Sequence, residues 1–181
     1  MQNPDPKQEQ EVMYFILVKS LNINYENLIS YYEKVIKFAI KTSDVFSIIA
    51  YQKKPYSVIP PFTDNDEFLE KLEPHLVNKK AGIRNWPGSA TNNNHRVLCV
   101  YNCCNLSRNE LLQLPNFFLA IENNMPEDIC FYRKGVAWLV TVSHEEYAFM
   151  YNSTEEDIAF LEENNISYSI SFETVNYLLP T

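Results

Sequence analysis

Glycine is scarce in this sequence, and its three residues lie far apart at Gly82, Gly88 and Gly135. A loop that cradles phosphate needs clustered glycines, because their backbone N–H groups must close on the anion. A P-loop, a dinucleotide-binding fingerprint and a kinase-type glycine loop are therefore excluded. The sequence also has no G-x-S-x-G nucleophile elbow of the kind found in α/β-hydrolases.

Basic residues and long apolar runs are also in short supply. The chain has 15 lysines and arginines against 23 aspartates and glutamates, which gives a net charge of −8. Such a chain is repelled by phosphate backbones and anionic membranes, so we expect neither nucleic acid nor a membrane as its partner. The first apolar run, residues 12–18, lacks a basic leader and is too short to span a bilayer. We expect a cytoplasmic protein.

The four cysteines do not form a recognisable disulfide or metal framework. Cys103 and Cys104 are adjacent, which suits a reducing compartment better than a disulfide scaffold. Cys99 and Cys103 have a zinc-like spacing, but on one strand they would lie about 13 Å apart. One zinc ion could not bind both unless that strand ended near Asn102. We therefore expect thiols that behave as small hydrophobic groups, with no metal and no cofactor.

A cysteine–histidine nucleophile is an open alternative. Cys103 or Cys104 lies near a predicted strand end, where catalytic groups are often found, and His95 or His144 could serve as its base. No family signature surrounds either cysteine, so the pattern by itself gives this alternative little support.

Hydrophobic periodicity predicts a mixture of helices and strands. Apolar residues at helical spacing predict helices over residues 25–41 and 66–80, with Pro74 expected to shorten or kink the second. Runs rich in β-branched and aromatic residues predict strands over 44–54 and 95–103. Two helix starts carry capping-box patterns, formed by Ser107 with Glu110 and by Ser153 with Glu156. The Gly, Pro and Asn content of residues 81–94 predicts a loop.

A β-hairpin is the clearest local prediction in the second half of the chain. Its strands cover residues 129–133 and 136–143, and Gly135 supplies the positive φ of the turn. One more strand is predicted over 167–172. The stretch 143–151 has two interpretations: period-2 aromatics at 147, 149 and 151 favour a strand, whereas Ser143 and Glu146 form a helix-capping pattern.

The order of these elements predicts an α+β fold with a mainly antiparallel sheet and helices packed on it. At this length a single domain is the default expectation. We expect the domain to cover residues 11–181, behind a flexible tail formed by the polar, proline-containing residues 1–10.

His144 stands with two glutamates between two apolar runs and is a candidate for chemistry. A zinc-protease motif needs a second histidine four residues further on, and Ala148 occupies that position. If the strand from residue 136 continues, His144 shares a face with Trp138 and Val140 at the end of the strand. This pattern favours a strand-end turn over a catalytic triplet.

Several stretches together resemble a group of uncharacterised bacterial proteins. Such proteins carry a Trp-Pro-Gly loop, a Pro-Glu-Asp-Leu-like entry to a strand pair, and a His-Glu at the end of the second strand. The matching residues here are Trp86-Pro87-Gly88, Pro126-Glu127-Asp128-Ile129 and His144-Glu145, within a similarity over residues 31–161. The resemblance implies no established activity and therefore no catalytic residue. In its general composition, the chain also resembles small acidic immunity proteins that are encoded beside bacterial toxins.

These features favour a non-enzymatic binding protein, most concretely an immunity or antitoxin-like protein that occludes a basic toxin partner. Carboxylates and exposed aromatic side chains would cover the basic active site of the toxin. The candidate partner-binding residues are Trp86, Glu127, Asp128, His144, Glu145 and Glu146. Two alternatives stay open: an enzyme of unrecognised class that uses His144 and Glu145, and a regulatory protein that forms a homo-oligomer.

Overall fold

Helices and strands are interspersed along the chain. The computed structural model describes residues 10–15, 25–51, 63–114, 117 and 126–173. Its helices are α1 (Tyr25–Thr42), α2 (Thr63–Leu72), α3 (Asn105–Leu111) and α4 (Glu155–Glu163), with a 3-10 turn over Glu73–His75. Its strands are β1 (Gln10–Phe15), β2 (Val45–Tyr51), β3 (Leu76–Ile83), β4 (Asn85–Trp86), β5 (Ser89–Ala90), β6 (Arg96–Asn102), β7 (Glu127–Arg133), β8 (Val136–Val142), β9 (Tyr147–Tyr151) and β10 (Ser169–Glu173).

Eight of the strands in these described ranges form one sheet in the order β10, β1, β9, β8, β7, β2, β6, β3. Every neighbouring pair in it is antiparallel. The largest cluster of buried residues combines side chains from all four helices with residues of the central strands, so the helices pack on one face of the sheet. The predicted α+β fold with a mainly antiparallel sheet is confirmed.

The predicted helix over residues 25–41 is confirmed as α1. Apolar side chains recur along one stripe of this helix and are buried in the core. They are Tyr32, Val35, Ile36, Ala39 and Ile40. The Tyr32 hydroxyl donates a hydrogen bond of 2.6 Å to the backbone carbonyl of Leu111, which ties α1 to the end of α3.

The predicted strands over 44–54, 95–103 and 167–172 are confirmed as β2, β6 and β10 within the described ranges. Residues 52–54 lie outside those ranges. So does the expected tail, except for Gln10, which is the first residue of β1.

The predicted helix over residues 66–80 is wrong beyond Leu72, where α2 ends. Pro74 lies in the 3-10 turn and cannot continue a helix, because it lacks the N–H donor and its ring clashes with the preceding turn. The chain then forms β3, which pairs with β6 at the edge of the sheet. Lys79 and Lys80 are exposed on β3, a common protection of edge strands against pairing with other chains.

The predicted loop over residues 81–94 is also partly wrong. Residues 81–83 belong to β3, and β4 and β5 form a separate two-stranded hairpin. The Trp86-Pro87-Gly88 motif therefore lies on a small hairpin rather than on an open loop.

The hairpin of β7 and β8 is confirmed, and its turn has the geometry that its residues favour. Lys134 and Gly135 both have positive φ values, 50° and 78°, as a two-residue type I′ turn requires. Beyond the turn the register shifts, because Phe131 pairs with Leu139 while Tyr132 pairs with Ala137. Trp138 is the extra residue of this β-bulge.

The bulge corrects the expected side-chain parity of β8. Trp138 and Leu139 both pack in the cluster on the helix side of the sheet, whereas Val140 belongs to a different cluster. The predicted face shared by Trp138, Val140 and His144 is therefore wrong. An inserted residue reverses the alternation of side chains, and the sequence carries no local sign of it.

Neither predicted capping box forms, although both helices begin with a capping box made by other residues. The N-cap of α3 is Cys104, and Ser107 is the third helical residue instead of the cap. The N-cap of α4 is Thr154 instead of Ser153, and Asp157 completes the reciprocal bonds by accepting the Thr154 N–H. The predicted cap is therefore wrong by three residues at α3 and by one residue at α4.

Arg133, the last residue of β7, joins elements that are distant in sequence. Its guanidinium donates two hydrogen bonds of 2.8 Å to the Asp157 carboxylate and also donates to the Thr42 carbonyl. Its guanidinium carbon lies 3.5 Å from the centroid of the Trp138 ring. Burial alone would raise the pKa of Asp157, but hydrogen bonds from Arg133 and Thr154 outweigh it and lower that pKa below its usual value.

We expect Asp157→Asn to lower the free energy of unfolding at neutral pH by about 2 kcal/mol, because the guanidinium would keep its burial and lose its counter-charge. The effect is smaller than for a fully buried pair, since the Arg133 side chain is 25% exposed. Because the folded-state pKa is lowered, the carboxylate stabilises the fold above the unfolded pKa of about 3.9. That stabilisation is lost as the pH falls through the folded pKa, so wild type and variant should converge in acid.

Urea unfolding at several pH values measures this difference. Lys37→Ala is the matched control, because the pair of Lys37 with Glu33 lies on the exposed side of α1 and should contribute little. An Asp157→Asn variant as stable as Lys37→Ala at neutral pH would contradict the role given to Arg133.

Candidate functional site

The three sequence segments that carry the motifs are in contact in the folded chain. Trp86 is in the β4–β5 hairpin, Asp128 is the second residue of β7, and Ser143 is the residue directly after β8. The Trp86 indole N–H donates to Asp128 Oδ2 over 2.7 Å, across 42 residues of sequence. The Ser143 backbone N–H donates to Asp128 Oδ1, also over 2.7 Å. We call Trp86, Asp128 and Ser143 the Asp128 junction.

An irregularity in β7 turns Asp128 toward these partners. Between the Ser47–Cys130 and Ile49–Glu127 pairs, β2 contributes one residue and β7 contributes two. Asp128 lies in this bulge with a φ of 53°, a region that Asp and Asn adopt more readily than most residues. The bulge therefore re-aims a carboxylate that a regular strand would direct elsewhere.

Ser143 completes the junction through its hydroxyl group. The Asp128 backbone N–H donates to Ser143 Oγ over 2.9 Å, which makes the bonding between the two residues reciprocal. The Ser143 hydroxyl in turn donates to the Phe117 carbonyl over 3.1 Å. Each polar atom named here has a partner, so the junction is a satisfied buried network.

Packing holds the β4–β5 hairpin against the sheet face opposite the helices. Trp86 is only 7% exposed and belongs to a buried cluster with Ile49, Leu98 and Val100. These three strand residues alternate with neighbours that pack on the helix side. Gly88 lies tightly against β8, because a Cβ atom there would be 2.7 Å from Val142 Cγ2.

A second polar group adjoins the junction at Glu127. The Arg96 Nε–H donates to Glu127 Oε1 over 3.1 Å, and the guanidinium also donates to the Tyr51 hydroxyl over 3.0 Å. The Arg96 side chain is 17% exposed and the Glu127 side chain 7%, so this ion pair is largely buried. Arg96 supplies a charge that offsets one of two neighbouring carboxyl groups.

Burial dominates the electrostatics of both carboxyl groups. It raises the pKa of Asp128 above its usual value, although hydrogen bonds from Ser143 and Trp86 and the nearby His144 oppose the shift. Burial also raises the pKa of Glu127, and the charge of Asp128 adds to this while Arg96 opposes it. Both groups therefore take up a proton more readily than an exposed carboxyl would.

Asp128 serves as a structural acceptor and not as a free base. Each of its carboxylate oxygens accepts a hydrogen bond, and the residue is 2% exposed. A general base must come within hydrogen-bond reach of a substrate proton, and burial keeps Asp128 from that reach.

The stretch over residues 143–146 is a turn between β8 and β9. The Glu145 N–H donates to the Val142 carbonyl over 3.2 Å, and the Glu146 N–H donates to the Ser143 carbonyl over 3.3 Å. Glu146 has a φ of 58°, which a helix would not allow, and Tyr147 pairs with Val142. The strand interpretation of residues 147–151 is confirmed as β9, and the helical alternative is wrong.

The six candidate partner-binding residues divide into two groups. His144 and Glu145 are exposed and Glu146 is partly exposed, so the turn lies at the surface as expected. Trp86, Glu127 and Asp128 are buried. The expectation that the Trp86 segment offers an exposed aromatic surface is therefore wrong, because the indole packs on β2 and β6 and its N–H is bonded to Asp128.

Some residues of the site were not among the candidates. Tyr147 is 40% exposed directly after the turn, and its place in the alternating pattern of β9 could have identified it. Arg96 and Ser143 meet their partners only through tertiary pairing, since Arg96 and Glu127 are 31 residues apart. No local spacing rule connects such residues.

Comparison with protein-family models, with curated proteins and with solved structures gave no match. The resemblance to the bacterial group therefore stays a prediction. Within the described residues, no three His, Cys, Asp or Glu side chains are grouped as a metal ion would require. The helices of that same part of the chain are too short or too polar to cross a membrane.

We expect Gly88→Ala to destabilise the fold more than Gly82→Ala does. Both glycines have positive φ, so both variants carry backbone strain of about 1 kcal/mol. Only at Gly88 does the new Cβ also overlap Val142 and Val140, which are buried and rotamerically stiff. This overlap should add about 1–3 kcal/mol in urea unfolding. An equal loss of unfolding free energy in the two variants would show that Gly88 is not packed tightly against β8.

We expect Asp128→Asn to loosen the Trp86 indole without introducing backbone strain, because Asn also adopts positive φ. An amide has one acceptor oxygen, so one of the two N–H donors loses its partner at about 1–3 kcal/mol. NMR measures hydrogen exchange of the Trp86 indole N–H. The Trp138 indole N–H, which donates to Ser43, is the internal control. Unchanged exchange at Trp86 together with unchanged stability would contradict the junction.

Proposed function

We propose that this chain is a non-enzymatic binding protein that covers a basic surface of a partner protein. Its contact region is the exposed turn of His144, Glu145 and Glu146 together with Tyr147, which we call the turn surface. One observation supports this proposal above the others. A buried and fully bonded junction at Asp128 holds Ser143, the residue from which the exposed acidic turn departs.

Charge favours a basic partner. The chain carries a net charge of −8. Two of its glutamates lie in the turn surface, and the side chain of one of them, Glu145, is 58% exposed. Opposite charges on two proteins accelerate their encounter and disfavour wrong partners more than they raise affinity. A partner with a cluster of lysine and arginine side chains fits this surface best.

Local rigidity favours a role in binding as well. The turn is fixed at one end by the Asp128 junction and at the other by the β8–β9 pairing. A surface that is ordered before binding loses less conformational entropy when the complex forms. Tyr147 adds a large amphipathic side chain beside the carboxylates, and tyrosine is enriched among the residues that dominate binding energy.

An immunity or antitoxin-like role in the cytoplasm fits these properties. Such a protein needs no catalytic group, and it acts by occluding the basic active site of a toxin. Acidic charge and a rigid acidic turn are the features of this chain that such a mechanism would use.

The two alternatives have less support. An enzyme that used His144 and Glu145 would carry out its chemistry with side chains that are 50% and 58% exposed on a turn, whereas catalytic groups usually converge in a cleft. A homo-oligomer built on the turn surface would bring two acidic turns together, and like charges repel at such an interface.

We expect Glu145→Lys to weaken binding of the partner by about tenfold, mainly through slower association. The partner is obtained by co-expressing the chain with the product of an adjacent gene and co-purifying the complex. Stopped-flow mixing at low and high salt then measures the association rate. Glu163→Lys is the matched control, because Glu163 is exposed at the end of α4 and the substitution changes net charge equally.

Two results would refute the proposal. If no adjacent gene product co-purifies, the chain lacks the partner that the proposal requires. If Glu163→Lys slows association as much as Glu145→Lys does, net charge alone matters and the turn surface is not the contact region.

A further inference from the structure

Cys104 and His75 meet at a second place on the molecule. Cys104 lies between β6 and α3, and His75 ends the 3-10 turn that leads into β3. The Cys104 Sγ and His75 Nδ1 atoms are 3.7 Å apart across 29 residues of sequence. Both side chains are partly exposed, and neither belongs to the Asp128 junction. A thiol paired with an imidazole is the arrangement of an activated sulfur nucleophile.

The surroundings of Cys104 favour its thiolate. The Ser107 backbone N–H donates to Sγ over 3.5 Å. Burial by itself would raise the pKa of Cys104, but hydrogen bonds from Ser107 and from the backbone of Leu106 outweigh it, so this pKa lies below its usual value. Thiolate character and access to solvent together determine how readily a cysteine reacts.

The other three cysteines have the opposite environment. Cys99 and Cys130 are buried, and burial raises the pKa of each. Burial also raises the pKa of Cys103 to about 12, although Cys103 is the chain neighbour of Cys104. Cys103 is therefore an internal control, because it is adjacent to Cys104 in the sequence but has a different environment.

We propose that Cys104 is a redox-sensitive nucleophilic thiol, that His75 accepts its proton, and that hydroperoxides are the class of co-reactant. The sequence suggested His95 or His144 as the base for such a thiol. The geometry instead brings His75 to the sulfur, because the chain turns at Pro74 and β3 runs beside β6.

The oxidation step balances with hydrogen peroxide as the oxidant. The Cys104 thiol proton moves to His75 Nδ1, and the thiolate sulfur attacks one oxygen of the peroxide. The S–O bond forms as the O–O bond breaks, so the sulfur loses two electrons and the peroxide gains them. The released hydroxide takes the proton from His75 and leaves as water. The product is Cys104 sulfenic acid, which thiols can reduce again.

Two mass-spectrometric measurements on the full chain test this site. Iodoacetamide labelling, resolved by peptide, gives the alkylation rate of each cysteine, and 1,3-diketone trapping after hydrogen peroxide detects sulfenic acid. We expect Cys104 to react at least about tenfold faster than Cys103 at neutral pH, since each pKa unit changes the thiolate fraction about tenfold. The diketone should mark Cys104. The Cys103→Ser variant should show the same alkylation rate and the same diketone labelling at Cys104 as the wild-type chain.

The role of His75 has a separate readout. His75→Gln should slow alkylation of Cys104 several-fold at neutral pH, and the rates should converge at high pH, where the thiol ionises without a base. A purely structural effect of the substitution would not disappear at high pH. Equal labelling of Cys103 and Cys104 in the wild-type chain would overturn the proposal, as would a His75→Gln variant with the wild-type pH profile.

Discussion

A buried carboxylate holds the candidate site together. Asp128 accepts hydrogen bonds from the Trp86 indole and the Ser143 backbone, and its own backbone N–H bonds back to Ser143. A buried donor without a partner costs about 1–3 kcal/mol, so these groups depend on one another. Asp128 lies in the bulge of β7, which directs its carboxylate away from the regular alternation of the strand. The β4–β5 hairpin and the β8–β9 turn are thereby fixed to one residue of the sheet.

Short-range patterns in the sequence predicted the elements that form through local interactions. The Lys134-Gly135 turn and the apolar stripe of α1 each contain their own physical cause. Pairing between distant segments determined the rest. β3 pairs with β6 at the edge of the sheet, and Trp138 changes face because of a bulge. The burial of Trp86 and the pairing of His75 with Cys104 likewise depend on contacts that no local pattern encodes.

The motif residues fall into two groups, one buried inside the protein and one exposed at its surface. Trp86, Glu127 and Asp128 are buried and hydrogen-bonded, and Asp128 is bonded to Ser143, from which the exposed turn departs. His144 and Glu145 are exposed and lie outside the core. The proposed binding function uses both groups in this arrangement. The Cys104–His75 pair shares no residue with this region, so its chemistry and the binding role can be tested independently.

Trp86, Asp128 and Ser143 should behave as one unit, and amide hydrogen exchange in a Trp86→Phe variant tests this most directly. Phenylalanine keeps an aromatic ring in the pocket but cannot donate to Asp128. The Ser143 backbone N–H should then exchange at least about tenfold faster, which corresponds to about 1.4 kcal/mol. The Asp44 N–H, bonded to the Tyr132 carbonyl at the far end of β7, should be unaffected. Wild-type exchange at Ser143 in this variant would contradict the coupling through Asp128.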